Sequence, residues 1–389
     1  MTVPPDKSIT HRALIFGAMA NGCTIINNPL TALDTISTAN CLRSMGAEIK
    51  FGAKWMVRGG NLFGAKIDCG NSGTTMRLLM GVAAGLKSTT IFDGDSSLKK
   101  RPMDRVTKPL SLMGAKCEGL KITGGDLCGI DYELPIPSAQ VKSAIILAGL
   151  RAKGETILRG RIDSRDHTEN MLAKMGASIL QKEGSICVQS STLQATEFYV
   201  PGDASSAAYV AALALLIPQG YAYIRKVTSS KTRLGFFDVL KRAGADIAIS
   251  KNGDEADIVV NNSEFMGFEV DEKEIPYLID EIPLLSLVAC FAKGTSIIND
   301  VSELTVKESN RLVETQKLIS SLGGQITVNG NKIIITGSGK LDGGGVYDGY
   351  DHRMVMTAAI GYAVGKKEGI IVHHEAVNIS YPEFFELFE

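Results

Sequence analysis

Lys7, Arg12, Arg77, Arg101, Arg165, Lys307, Arg311 and Arg353 stand at the starts of predicted helices in both halves of a chain whose formal net charge is only −1. Cations gathered this way in a near-neutral protein suit the binding of one or more multiply charged small anions. The forked guanidinium holds planar carboxylates and phosphates through paired hydrogen bonds. Asp280 and Glu308 stand among these cations. They are the acids placed to move protons inside a positive site.

The first such stretch is Pro4-Pro5-Asp6-Lys7-Ser8-Ile9-Thr10-His11-Arg12, just ahead of the apolar run Ala13 to Phe16. Asp6 or Ser8 can cap the helix that begins there. Lys7, Ser8 and the first-turn amides then point at one place, and helix N-termini attract anions. Arg12 falls on the same face as Ser8. Taken alone, the stretch is equally an ordinary capped helix with a solvated Lys and Arg. Its Lys-Ser pair lacks the glycines of a Walker motif.

The other stretches have the same double reading. Asp68 to Arg77 is a glycine-rich turn opening a helix, and amides near Gly73 can face an anion; a plain turn and a cap also explain it. Arg101-Pro102-Met103-Asp104-Arg105 reads by itself as a solvated loop. Ser138-Ala139-Gln140-Val141-Lys142-Ser143 and Ser164-Arg165-Asp166-His167-Thr168-Glu169 each open a helix with polar groups. His167 reads as a surface or capping residue. Asp280-Glu281-Ile282-Pro283, Lys307 to Arg311 and Asp348 to Met354 are further helix starts, where acids are ordinary. The constellation is stronger than any member.

The elements that must position these groups come from an internal repeat. A small, Ala-rich helix end, a glycine and a β-branched run recur six times: Gly17 to Ile26, Gly81 to Phe92, Ala148 to Leu158, Ala211 to Ile224, Ala289 to Ile298 and Ala359 to Val372. The copies lie roughly 65 to 75 residues apart. A second helix, ending in Gly46, Gly114, Gly176, Gly244 or Gly323 before a strand, follows in most units. Each of these glycines suits the left-handed position that ends a helix. The class is therefore α/β, with three units in each of two similar domains: residues 6–202, and residues 203–389 with 1–5. The two crossings, at Pro4-Pro5 and Pro201-Gly202, would put the opening stretch on a hinge, where a cleft-closing enzyme places ligand groups.

Composition excludes several functions. The charge balance and the lack of a basic stripe argue against nucleic acid or a membrane surface. Seven scattered cysteines with no Cys-x-x-Cys pair argue against a zinc site or disulfide framework. The five histidines have no metal-ligand spacing. No apolar stretch reaches membrane-spanning length and no signal peptide opens the chain, so a cytoplasmic protein is expected.

The motifs Asp-Lys-Ser-Ile-Thr-His-Arg (6–12), Gly-Asn-Ser-Gly-Thr-Thr-Met-Arg (70–77), Arg-Pro-Met (101–103), Ser-Ala-Gln-Val-Lys-Ser (138–143), Lys-Glu-Ser-Asn-Arg-Leu (307–312) and Asp-His-Arg-Met (351–354) occur in this order. In this the chain resembles the 5-enolpyruvylshikimate-3-phosphate synthase family along nearly its whole length. Ser-Ala-Gln with Ser-Arg-Asp-His-Thr-Glu resembles its class II bacterial subgroup. The resemblance implies two domains of three βαβαββ units each, inverse α/β barrels with helices inside. It implies transfer of the enolpyruvyl group of phosphoenolpyruvate to the 5-hydroxyl of shikimate 3-phosphate, on the route to aromatic amino acids, with no metal or cofactor. It further implies two small-molecule substrates, a monomer, and glyphosate as a ligand of the phosphoenolpyruvate position. On that analogy Lys7, Ser8, Arg12, Ser138, Ala139, Gln140, Arg165, Asp280 and Lys307 hold shikimate 3-phosphate. Lys7, Gly73, Arg101, Gln140, Arg311 and Arg353 surround phosphoenolpyruvate. Asp280 takes the 5-hydroxyl proton, and Glu308 with Lys7 serves the methylene carbon and the leaving phosphate.

Three positions depart from the family. Pro5 stands where glycine is usual, which stiffens the expected hinge. The strand-forming segment ahead of the first motif is short, so a strand of the second domain is expected to be missing. Ile379 stands where some members carry a carboxylate-binding lysine before the Tyr-Pro segment, so that contact does not carry over. The sister transferase acting on UDP-N-acetylglucosamine uses a cysteine in the loop that here runs from Ser96 to Met103 and contains none. An enzyme of nucleic-acid ends and a catalytically silent binding protein are the readings from other classes; Lys7, Asp280, Glu308 and Arg353 together argue against a silent fold.

Overall fold

The computed structural model describes residues Met1 to Glu389. Its α-helices are α1 (Lys7–Met19), α2 (Leu33–Ser44), α3 (Gly73–Ala84), α4 (Asp104–Leu112), α5 (Ala139–Gly149), α6 (His167–Lys174), α7 (Ala204–Leu216), α8 (Gly235–Arg242), α9 (Ile282–Ala289), α10 (Arg311–Ser321) and α11 (His352–Val364). Two compact units result, Pro5–Val200 and Met1–Pro4 with Pro201–Glu389. No helix is long and apolar enough to cross a membrane.

The helix ends follow from local chemistry. Asp6 caps α1 by accepting the N–H of Ile9 at 2.9 Å, and Ser72 and Ser138 cap α3 and α5 in the same way. Gly46, Gly114, Gly176, Gly244 and Gly323 have φ of 101°, 109°, 83°, 96° and 85°. These are left-handed values that any side chain with a Cβ would resist.

The two helices of a repeat differ in kind. From Thr10 to Met19, α1 is buried on every side, and α3, α5, α7, α9 and α11 are nearly so. A helix apolar all round belongs in an interior. Small residues let these inner helices approach: a Cβ on Gly81 of α3 would lie 2.2 Å from the carbonyl oxygen of Ala144 in α5. The second helices are one-sided, as in α8, which buries Phe236, Phe237, Val239 and Leu240 and exposes Asp238. Strands such as Lys54–Arg58 alternate exposed and buried residues, so the sheets form the outer layer with one face on the helices.

In the Pro5–Val200 unit three four-stranded sheets share one order. Lys66–Asp68 runs parallel to Thr89–Asp93, which pairs antiparallel with Lys121–Thr123, which pairs antiparallel with Lys116–Glu118. Asp131–Leu134, Thr156–Gly160, Ser185–Val188 and Ile179–Lys182 repeat it. In the first sheet the leading strand is Glu197–Tyr199, from the far end of the unit, laid parallel to Cys23–Asn27.

The other unit varies the theme. The sheet led by Glu269–Val270 has the full order. Tyr221–Thr228, Glu255–Asn261 and Ile247–Asn252 form three strands, with Thr2 and Gly202 adding single parallel bridges to Arg225 and Val227. The sixth repeat keeps only Val346–Tyr347 parallel to Ile370–Ile371, and no hairpin follows. Instead, 3-10 turns at His374–Ile379 and Phe384–Phe388 follow. Phe384 packs edge-on against Tyr209, Tyr381 and Phe385 with centroids 5.3 to 5.6 Å apart. These rings cover the core from that side, so the sixth repeat departs from the full βαβαββ pattern at its end.

Candidate active site

In the Pro5–Val200 unit, hydrogen bonds gather the starts of the inner helices. Arg12 of α1 donates from Nε to Thr168 of α6 at 2.7 Å and from Nη2 to Ser143 of α5 at 3.1 Å. Arg77 of α3 donates to Oε1 of Gln140 at 2.5 Å, and the Gln140 amide donates to Thr74 at 2.9 Å. Arg165 reaches Ser8 at 3.4 Å. Lys7 pairs with Asp34 at 3.0 Å. The positive ends of α1, α3 and α5 therefore meet beside Lys7, Ser8, Arg12, Ser138, Ala139, Gln140 and Arg165, an arrangement suited to a phosphate or carboxylate.

Burial separates this arrangement from a set of solvated helix starts. Arg12 is 2% exposed and Arg101 8%. A buried guanidinium is expensive without partners, and both have them: Arg101 donates from Nη2 to Asn71 at 2.7 Å. The segment Arg101 to Arg105, which the sequence alone presents as a solvated loop, therefore turns its first arginine inward. A Cβ on Gly73 would stand 3.0 Å from Nη1 of Arg101 and 3.1 Å from Nη1 of Arg77. The glycine thus leaves room for two guanidinium groups side by side.

In the other unit the site is built on Arg311, which is 2% exposed at its side chain. Nε and Nη2 donate to the two Asp351 oxygens at 2.8 and 3.2 Å, a bidentate pair. Nη2 also donates to Glu308 at 2.6 Å, and Nη1 to Asp280 at 3.3 Å. Lys307 pairs with the same Asp280 oxygen at 3.3 Å. Burial disfavours the charged guanidinium, but Asp351, Glu308 and Asp280 outweigh it and raise its pKa. The carboxylates of Asp280 and Glu308 remain 18% and 22% exposed above it. Two partly exposed carboxylates thus face outward from a fixed positive charge. Arg353 is buried nearby; burial opposes its charge, and Tyr209, Asp280, Asp203 and Glu281 raise its pKa.

The sequence motifs carried most of these residues, and Ser143, Thr168 and Asp351 with them, but not which group holds which, and Asp34 lies in no motif. Asp34, Ser143, Thr168 and Asp351 are the groups that hold Lys7, Arg12 and Arg311. His167 is buried at the start of α6 rather than placed at the surface. Ile379 ends a 3-10 turn and offers no charge. Cys117 lies in the strand Lys116–Glu118, and burial raises its thiol pKa, which does not suit a nucleophile.

His11 lies under the cradle, fully buried, with Nδ1 2.7 Å from Thr38. Burial first, then Lys7 and Arg12, push its pKa well below the ordinary value. In the unfolded chain it takes a proton near pH 6.5. A depressed folded pKa means that this contribution to stability is complete above that pH and is lost as pH falls below it. The slope is about 1.4 kcal/mol per pH unit for one proton. Chemical denaturation at pH 7.5, 6.5 and 5.5 should show a shallower acid loss for His11→Gln than for the wild type. Parallel losses would contradict a neutral buried His11.

Comparison with known proteins places the chain. The profile of EPSP synthase (3-phosphoshikimate 1-carboxyvinyltransferase) matches residues 1–388. A 3-phosphoshikimate 1-carboxyvinyltransferase from Bacillus pumilus is 42% identical over 408 residues, covering 100% of this chain and 95% of the relative. That of Bacillus subtilis is 38% identical over 405 residues, covering 99% and 95%. The structure of EPSP synthase from Acinetobacter baumannii superimposes with a TM-score of 0.85 at 36% identity, covering 100% of this chain and 94% of that one. The buried arginines, the gathered helix starts and these matches along the full chain agree: this protein belongs to the EPSP synthase family.

Proposed function

We propose that this protein transfers the enolpyruvyl group of phosphoenolpyruvate to the 5-hydroxyl of shikimate 3-phosphate, releasing phosphate. The observation that carries the reading is Arg311: a buried guanidinium holding two partly exposed carboxylates, Asp280 and Glu308, within hydrogen-bond reach. Such a cluster can bind an anion and exchange protons beside it.

In this reading the α1, α3, α5 and α6 starts supply the anion cradle. Lys7, Ser8, Arg12, Ser138, the Ala139 amide, Gln140 and Arg165 hold shikimate 3-phosphate, with Lys307 and Asp280 at its ring. Lys7, Gly73, Arg101, Gln140, Arg311 and Arg353 hold phosphoenolpyruvate. Glu308, with Lys7, delivers a proton to the methylene carbon, leaving a cation-like C2. The 5-hydroxyl attacks C2 while Asp280 takes its proton, giving a tetrahedral ketal. Glu308, with Lys7, takes a methyl proton back, and the C2–O bond to phosphate breaks with its electron pair leaving on phosphate, which restores the double bond. The protein then works as a monomer in the cytoplasm.

The test is phosphate release with both substrates and with each alone. Release only with both supports the reading. Release from phosphoenolpyruvate alone, or none, overturns it.

Gly73 gives a second handle. Glyphosate should inhibit competitively with phosphoenolpyruvate, because Arg101, Arg311 and Arg353 offer charge for its anionic ends. The methyl of Gly73→Ala would press on Arg101 and Arg77 at 3.0 and 3.1 Å, so both must shift by a few tenths of an ångström. That substitution should weaken glyphosate more than it weakens catalysis. Initial rates across inhibitor and phosphoenolpyruvate concentrations measure both effects. Unchanged sensitivity in the variant would remove Gly73 from the ligand's surroundings.

A further inference from the structure

Lys142 lies in the second turn of α5, two residues after Gln140, and is 1% exposed. Its Nζ donates to Glu169 of α6 at 2.7 Å, to the Ile162 carbonyl at 3.1 Å and to the Ser164 carbonyl at 3.3 Å. An ammonium has three N–H donors, and all three are matched. Glu169 is equally buried. The ammonium's donors are thus spent on protein groups, a carboxylate and two backbone carbonyls.

The two carbonyls belong to the segment that carries Arg165. Between the strand Thr156–Gly160 and α6 this segment has little regular structure. Arg161 N–H reaches the Leu134 carbonyl at 3.0 Å, and beyond it the backbone bonds are short-range: Ile162 N–H to Gly160 and Ser164 N–H to Ile162, each 2.8 Å. Lys142 ties it to α5. Glu169 closes the triangle by tying the same ammonium to α6, one residue beyond the Thr168 that holds Arg12. The group before Arg165 and the start of α5 are thereby held as one body.

We propose that Lys142 and Glu169 are positioning residues for Arg165, fixing it against Ser8 and the start of α5 so that the segment meets the phosphate of shikimate 3-phosphate already ordered. The inference rests on the assignment of Arg165 given above. Stability alone does not account for this ion pair. A well-packed apolar pair generally does as well as a buried salt bridge, but it cannot hold two carbonyls. Pre-ordering a binding group cuts the cost of fixing it on binding.

The test compares the wild type, Arg165→Ala, the pair Lys142→Met/Glu169→Leu, and the three changes combined. Shikimate 3-phosphate affinity is measured by calorimetry, and steady-state constants are measured for both substrates. The apolar pair should keep the fold and weaken shikimate 3-phosphate by roughly 10-fold or more, the scale of a misplaced binding group. The KM for phosphoenolpyruvate at saturating shikimate 3-phosphate should move little. The triple variant should bind no worse than Arg165→Ala, because the pair acts through that residue. Wild-type affinity in the apolar pair, or losses that multiply in the triple variant, would overturn the proposal. Normal affinity in Arg165→Ala would instead remove the assignment of Arg165, and the proposal with it. Should the apolar pair not fold, Lys142→Gln/Glu169→Leu keeps one amide donor for a carbonyl. It should then show an intermediate loss, confined to the same substrate, and an unchanged affinity there would equally overturn the proposal.

Discussion

Asp280→Ala and Glu308→Ala should each lower turnover by roughly 100-fold or more, the usual scale for a positioned acid or base. That is about 2.7 kcal/mol of barrier. Both carboxylates hang on the buried Arg311, Glu308 at 2.6 Å and Asp280 at 3.3 Å, and Asp280 also meets Lys307. The guanidinium itself is secured from below by the two Asp351 oxygens. Either substitution therefore removes one carboxylate and leaves the arginine in place. Shikimate 3-phosphate should still bind to the Glu308 variant, since Glu308 is not assigned to that ligand. Pre-steady-state and steady-state rates with both substrates check the loss, and calorimetry checks retained binding. Near-normal turnover in both variants would sink the assignment of the acids.

Lys142→Met alone should destabilise the Pro5–Val200 unit by about 3–5 kcal/mol, the cost of breaking a buried pair from one side. Glu169 would remain buried with its charge uncompensated, and its Oε2 already lacks a hydrogen-bond partner. Such a carboxylate prefers to be protonated, which raises its folded pKa above the unfolded value near 4.3. A raised folded pKa favours the folded state at low pH and is a liability as pH rises through it. The deficit of Lys142→Met should therefore be larger at pH 8 than at pH 5. Adding Glu169→Leu should recover most of it at either pH, because no lone charge remains. Denaturant unfolding of the three proteins at both pH values measures this. A single variant within 1 kcal/mol of the wild type at pH 8 would contradict the reading of the pair.

What the sequence by itself determined was local or repeated. Asp6, Ser72 and Ser138 cap helices through bonds spanning three residues, and Gly46 and its counterparts end helices through their own backbone freedom. These interactions involve neighbours along the chain, so residue type and spacing suffice to place them. The six-fold repeat was legible for the same reason, and so were the helix starts bearing Lys7, Arg12, Gly73, Arg311 and Arg353. Tertiary structure decided which of those charges are buried and what holds them. Arg12 meets Ser143 and Thr168, 131 and 156 residues away, Arg311 meets Asp351 at 40 residues, and Lys7 meets Asp34 at 27. A lysine or arginine at a helix start looks the same in sequence whether it faces water or a carboxylate brought by another helix. Only packing removes the water, and the desolvated charge then requires its partner. The closing strand Glu197–Tyr199 and the shortened sixth repeat were equally hidden. Each depends on which distant strand or aromatic ring reaches the same patch of core, and spacing along the chain does not encode that.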